Sequence, residues 1–145
     1  MTYPVATAGE QLLVLVGDGA SPENFTPFGL INLDRSLELS ANAIATMVPN
    51  TSNPSLPGKT VRAVESVDWK VTGSCILDLG QDKLGADWLL SGAAKNIEVI
   101  NNQAGGLTLK GPAVLTQFTP TGKNQGKVTA SVTLEGADLP TASTT

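Results

Sequence analysis

The sequence contains no histidine. That removes the usual Ser-His-Asp and Cys-His arrangements for nucleophilic catalysis. It also takes from any zinc site its commonest nitrogen ligand. One cysteine, Cys75, can neither close an internal disulfide nor fill a metal site alone. Lying beside Ile76 and Leu77, it reads as a buried, inert thiol. Aromatic residues make up only 4% of the chain. The two large platforms, Trp69 and Trp88, both read as core residues, so a carbohydrate-binding or glycoside-cleaving β domain is a remote alternative. No stretch approaches the roughly 18 apolar residues of a membrane span, the longest apolar run being Leu12 to Val16. Met1-Thr2-Tyr3-Pro4-Val5 shows neither the basic nor the apolar region of a signal peptide, so folding in a reducing cytoplasm is expected.

Charge is scarce as well. Asp, Glu, Lys and Arg together account for 15% of residues, against about 25% in an ordinary soluble domain. Ser and Thr fill the difference. A surface this weakly ionised fits a chain that ends up against other subunits. The net charge of −4 argues against gripping nucleic acid, which requires a Lys/Arg surface to displace counterions. It does not argue against a surface along which nucleic acid slides.

What the chain has in abundance is strand signal. Gln11 to Val16 is a β-rich run closed by the turn Gly17-Asp18-Gly19. Phe25 to Ile31 reads as a short strand broken at Pro27. From Ser36 to Thr46, Leu37, Leu39, Ala41 and Ala43 alternate with Glu38, Ser40 and Asn42, which places the two sets on opposite faces of a sheet. Residues 47–59 then hold Pro49, Pro54, Pro57 and Gly58. Prolines cannot donate to a ladder, so this is a long inter-strand loop, and loops of that length in compact domains are usually functional.

Alternation resumes from Thr60 to Thr72. Val61, Ala63, Val67, Trp69 and Val71 share a face, opposed by Arg62, Ser66, Asp68 and Lys70. Glu65 and Val64 exchange sides, which implies a β-bulge or a sheet covered on both faces. One helix is predicted over residues 79–94, with Asp78 as N-cap and Gln81 completing a capping box. Leu84 and Trp88 share a helix face, and Gly92 helps to end the helix. Lys95 to Asn101 is a strand with Ile97 and Val99 inward, and residues 101–106 are a turn. Leu107 to Phe118 is a strand with a bulge or bend at Gly111-Pro112. Lys127 to Glu135 is the cleanest strand, with Val128, Ala130, Val132 and Leu134 inward. Residues 137–145 form a polar C-terminal tail with a loose end. The expected fold is mainly β, a single domain over residues 1–145: a sandwich or barrel of short strands with one flanking helix.

Chemistry-bearing motifs are few. Asp78, Asp82 and Asp87 surround the helix and read as capping and dipole partners, since their spacing matches no calcium loop. Gly17-Asp18-Gly19 and Gly105-Gly106 lack the Lys and Ser/Thr of a phosphate loop and read as turns. No catalytic residue, cofactor site or metal site is expected, and the chain is not expected to be an enzyme.

The order of elements resembles the major tail tube proteins of long-tailed (siphovirus-type) bacteriophages and of phage-derived gene transfer agents. The resemblance spans almost the whole chain. A short N-terminal arm, residues 1–9, leads into Gly9-Glu10-Gln11-Leu12-Leu13-Val14-Leu15-Val16-Gly17-Asp18-Gly19. Then come Phe25-Thr26-Pro27-Phe28-Gly29-Leu30, Ser36-Leu37-Glu38-Leu39-Ser40, the Pro-rich loop and Val67-Asp68-Trp69-Lys70-Val71-Thr72-Gly73. Asp87-Trp88-Leu89-Leu90-Ser91-Gly92 precedes Leu107 to Leu115, and Lys127 to Gly136 comes last. The resemblance implies a tail tube-like β-sandwich or barrel that closes into hexameric rings. These would stack into a tube around a tape-measure protein, meet tail terminator and distal tail proteins, and later conduct DNA without binding it specifically. It further implies assembly in the bacterial host cytoplasm and residence in the virion tail, with no membrane partner.

Glu38 and Asp68, on polar strand faces, are the candidates for the lumen. Met47, Pro49, Asn50, Pro54, Pro57 and Lys59 are the candidates for contacts between rings. Alternatives are a head–tail connector or decoration protein, or the tube of a type VI secretion system.

Overall fold

The computed structural model describes residues 11–19, 22–77, 80–122 and 124–144. The expected N-terminal arm, the Asp78 cap, and Thr145 lie outside them. Within them, the strands are β1 (Leu12–Gly17), β2 (Phe25–Pro27), β3 (Arg35–Val48), β4 (Lys59–Ile76), β5 (Lys95–Asn101), β6 (Leu107–Thr121), β7 (Thr129–Gly136) and β8 (Thr141–Thr144), with one helix, α1 (Gln81–Ser91), between β4 and β5. The protein is mainly β, as its alternating pattern predicted. The strands join in the order β2-β1-β5-β6-β7-β4-β3, with β8 pairing to β6. The described residues fall into two compact units, one of those up to Glu38 and from Trp69 onward and one of residues 39–68.

The larger unit holds the core. Register explains how: Val14 pairs with Val99, and Val99 with Leu109. Farther along, Leu115 pairs with Leu134 and Leu134 with Val71. All six are buried, each contributing on the order of 1.5–3 kcal/mol relative to exposure. Trp69, Trp88 and Cys75 are buried as well, as expected of two core aromatics and a packed thiol. The Trp88 ring meets Phe28 edge-on, with centroids 5.6 Å apart. Its indole N–H donates to the carbonyl of Ala93 at 2.7 Å.

Helix α1 is shorter than its sequence pattern. It begins after Gly80, which adopts φ +91 and offers no side-chain cap, and ends at Gly92, which at φ +66 donates to the carbonyls of Leu89 and Trp88. A glycine accepts these left-handed angles without the Cβ penalty other residues meet. Leu84 and Trp88 diverge in fate, Trp88 being buried and Leu84 exposed. Gly85, which lowers helix propensity, is where the helix approaches the sheet: a Cβ there would lie 3.0 Å from both Leu30 Cδ1 and Phe118 Cε2.

The irregularity of β6 is not at Gly111-Pro112. The strand runs through both, and the register shifts between Leu115 and Gln117 instead. The carbonyl of Pro112 accepts from Ala137 N–H at 2.9 Å, on the side where the partner of β6 changes from β7 to β8. There the missing proline N–H breaks no ladder bond. The bulge switches the inward positions from odd to even numbers. Phe118 thereby opposes the buried Val132, while Gln117 is exposed.

Part of the expected C-terminal tail is a strand. Residues Thr141–Thr144 pair with Lys110 to Leu107 as β8. Asn32, which drew no notice in the sequence, acts as a splint. Its Oδ1 accepts from Ile76 N–H at 3.2 Å and its Nδ2 donates to the carbonyl of Gly29 at 3.3 Å, fastening the chain before β3 to the end of β4.

Candidate assembly surface

The smaller unit consists of β3 from Leu39 onward, β4 as far as Asp68 and their connecting loop, residues 39–68. The strands are neighbours in the sheet order, and Asn42 Nδ2 donates to Glu65 Oε2 across them at 3.1 Å. Every residue of this hairpin is exposed except Asn50, which is half-buried. The alternation of residues 36–46 and 60–72 is real, but only Leu37, Trp69 and Val71 of its apolar set pack on a core. Leu39, Ala41, Ala43, Val61, Ala63 and Val67 are exposed. Met47 is 74% and Val64 63% accessible. Both faces therefore carry apolar side chains that are uncovered within the chain.

No residue between Leu39 and Gly58 is charged. Strands at a sheet edge are normally guarded by charge against pairing with other chains, and β3 ends the sheet order. A two-stranded hairpin without a core is marginal in water. These three properties together describe a surface made to be covered. The signal was present in the sequence as an uncharged run flanked by alternation, although alternation alone does not reveal which chain covers the apolar face.

The loop at the hairpin end spans residues 49–58. Met47 and Val48 belong to β3 and Lys59 to β4, so the expected loop is trimmed at both ends. It is ordered by its own side chains. Asn50 Oδ1 accepts from Asn53 N–H at 3.1 Å, and Asn53 Oδ1 accepts from the Ser55 hydroxyl at 2.7 Å. The carbonyl of Asn53 accepts from Leu56 N–H at 3.0 Å. Such Asx turns hold a loop without a ladder. Pro49, Asn50, Pro57 and Lys59 help to line a cavity of about 370 Å³. Met47 and Pro54 do not line it, though both are exposed.

The lumen candidates fall in different units. Glu38 is exposed on β3 and lies 3.7 Å from Lys70 Nζ, an ion pair that offsets part of its charge. Asp68 is exposed on β4. The acidic groups of α1 have local roles. Asp87 Oδ2 accepts from Lys83 Nζ at 2.7 Å, and Asp82 Oδ1 from Lys83 N–H at 2.8 Å. The hydrogen bond and charge of Asp87 hold the Lys83 ammonium above its ordinary value of 10.5. Among the described residues no group of three or more Cys, Asp or Glu is placed to hold a metal ion, and no helix is long and apolar enough to cross a membrane.

A mainly antiparallel β core, one helix among the described residues and an exposed hairpin whose first strand and loop are uncharged from Leu39 to Gly58 define a structural subunit that presents surface to other chains. The phage tail tube protein model matches residues 6–141, and the chain belongs to that family. No curated protein matches the sequence. Solved structures share the fold. The chain is 16% identical to one in the tail of an empty gene transfer agent particle with C6 symmetry, over 97% of this chain and 99% of that one, at TM-score 0.67. It is 17% identical to a chain of the sheath–tube complex of an extracellular contractile injection system, over 99% and 93%, at TM-score 0.65. For the SPP1 tail tube the values are 11% identity, 97% and 80% coverage, and TM-score 0.64.

Proposed function

We propose that this chain is a tail subunit of a virion, closing into hexameric rings that stack into a tube and conduct DNA. The observation that carries the reading is the hairpin of residues 39–68. It exposes apolar side chains on both faces and carries no charge from Leu39 to Gly58. Copies of the chain supply the missing cover: a heterologous contact closes a ring when its rotation closes, and an open strand edge accepts a neighbour's strand.

Met47, Pro49, Asn50, Pro54, Pro57 and Lys59 make contacts between rings. The self-bonded loop supports this role, because a loop already ordered loses less entropy on binding. Glu38 and Asp68 face the lumen and repel phosphate, with Lys70 moderating the field beside Glu38. The tape-measure, terminator and distal tail proteins are the further partners, and the role is mechanical rather than enzymatic. Assembly takes place in the bacterial host cytoplasm.

Negative-stain microscopy of the purified chain tests the reading. Six-fold rings or tubes are expected; a chain that stays monomeric at high concentration ends it. The likeness in fold to a contractile injection tube favours a second reading, a tube that delivers protein. Nucleic acid protected inside intact particles separates the two.

A further inference from the structure

Strand β8 is held by little. All four of its residues are exposed, and Thr141, Ala142, Ser143 and Thr144 bring no large apolar side chain to the core. Its hold is the ladder from Leu107↔Thr144 to Lys110↔Thr141, with the Ser143 hydroxyl 3.5 Å from the Thr108 carbonyl. Each such bond contributes only about 0.5–1.5 kcal/mol net.

The chain just before it is firmly pinned. Ala137 N–H donates to the Pro112 carbonyl at 2.9 Å, and Trp69 Nε1 donates to the Asp138 carbonyl at 2.8 Å. Between pin and strand stand only Leu139, 65% exposed, and Pro140, whose ring fixes its backbone. A short, stiff hinge before a weakly docked element is the arrangement in which protomers trade that element. β8 also carries no charge to guard its edge.

We infer that β8 is an exchangeable strand: in the assembled protein, Thr141–Thr144 of one copy completes the β6 edge of an adjacent copy in the register seen within the chain. The intrachain ladder itself demonstrates that the β6 edge fits this segment. The exchange conserves those backbone bonds and carries the exposed Leu139 to the neighbour's surface. Leu139 to Thr144, fully extended, spans at most about 20 Å, so only an immediate neighbour can receive it. The inference rests on the self-assembly reading above.

The test uses the full chain with Thr108→Cys and Ser143→Cys, positions that oppose each other in the ladder. Opposed antiparallel residues have Cβ atoms about 4.5–5.5 Å apart, near disulfide reach. Cys75 is fully buried and stays out of the reaction. Oxidised as a free subunit, the variant closes within the chain and runs as a monomer. Assembled while reduced and oxidised afterwards, it gives a ladder of covalent oligomers on a denaturing gel with free thiols blocked. A single intrachain-linked band from assembled material overturns the exchange, and so does the absence of any disulfide there. Should this variant not assemble, Lys110→Cys with Thr141→Cys replaces it. A wild-type chain that forms no assembly refutes the self-assembly reading instead, a result distinct from an assembly without exchange.

Discussion

The indole of Trp69 occupies the space that a side chain at Gly136 would need, and its N–H donates to the carbonyl of Asp138 two residues on. A Cβ at Gly136 would meet the indole nitrogen itself, and one at Gly111 would lie 3.2 Å from the ring. Two glycines that look like strand breakers thus form the seat of a buried tryptophan. Gly136→Ala is expected to destabilise the chain by about 1–3 kcal/mol, the range for overpacking a well-filled core. Chemical denaturation followed by tryptophan fluorescence measures it. An unchanged midpoint would mean that the ring does not sit there.

The helix glycines make a prediction opposite to propensity. Alanine favours a helix interior by up to about 1 kcal/mol over glycine, yet Gly85→Ala would press against Leu30 and Phe118. Gly92→Ala would force a Cβ into a left-handed conformation at φ +66, at a cost of roughly 1–2 kcal/mol. Both variants should melt below the parent in calorimetry. A rise for Gly85→Ala would show that Leu30 and Phe118 yield.

The hairpin predicts a separation of folding from assembly. Val64 is exposed and touches no core, so Val64→Asp should leave the unfolding midpoint within about 0.5 kcal/mol, as surface changes usually do. The same change should abolish tubes in sedimentation and microscopy. Tubes formed normally by this variant would remove the hairpin from the interface.

On α1, Asp87→Asn should return the Lys83 ammonium to its ordinary value, as read by NMR titration. The sign follows from the direction: the folded value lies above 10.5, so the pair contributes fully at neutral pH and its contribution fades only as pH rises through the folded value. Stability near neutrality should not depend on this lysine's titration.

Much of the larger unit was legible in the sequence. Ile97 and Val99, or Ala130, Val132 and Leu134, announce their burial by a period of two, because their own chain covers them. Three features were not. Pro112 reads as a break, yet it stands where the partner of β6 changes and no N–H is wanted. Thr141–Thr144 carry no apolar pattern, since backbone pairing alone makes them a strand. The alternation from Val61 to Val67 gives the correct period, while the face it marks has no cover within the chain. The loop around Asn50 and Asn53 was located by its prolines, but its internal bonds required the structure.

The uncharged run from Leu39 to Gly58 has a thermodynamic consequence for any assembly built upon it. The run itself offers added salt no charge to screen, so any dependence of the assembly on ionic strength should come through the neighbouring Lys59, Arg62, Glu65 and Asp68. Burial of apolar surface weakens on cooling and strengthens with excluded solutes such as sulfate. Chilling is then a gentle way to loosen the part of such a particle that the run holds together.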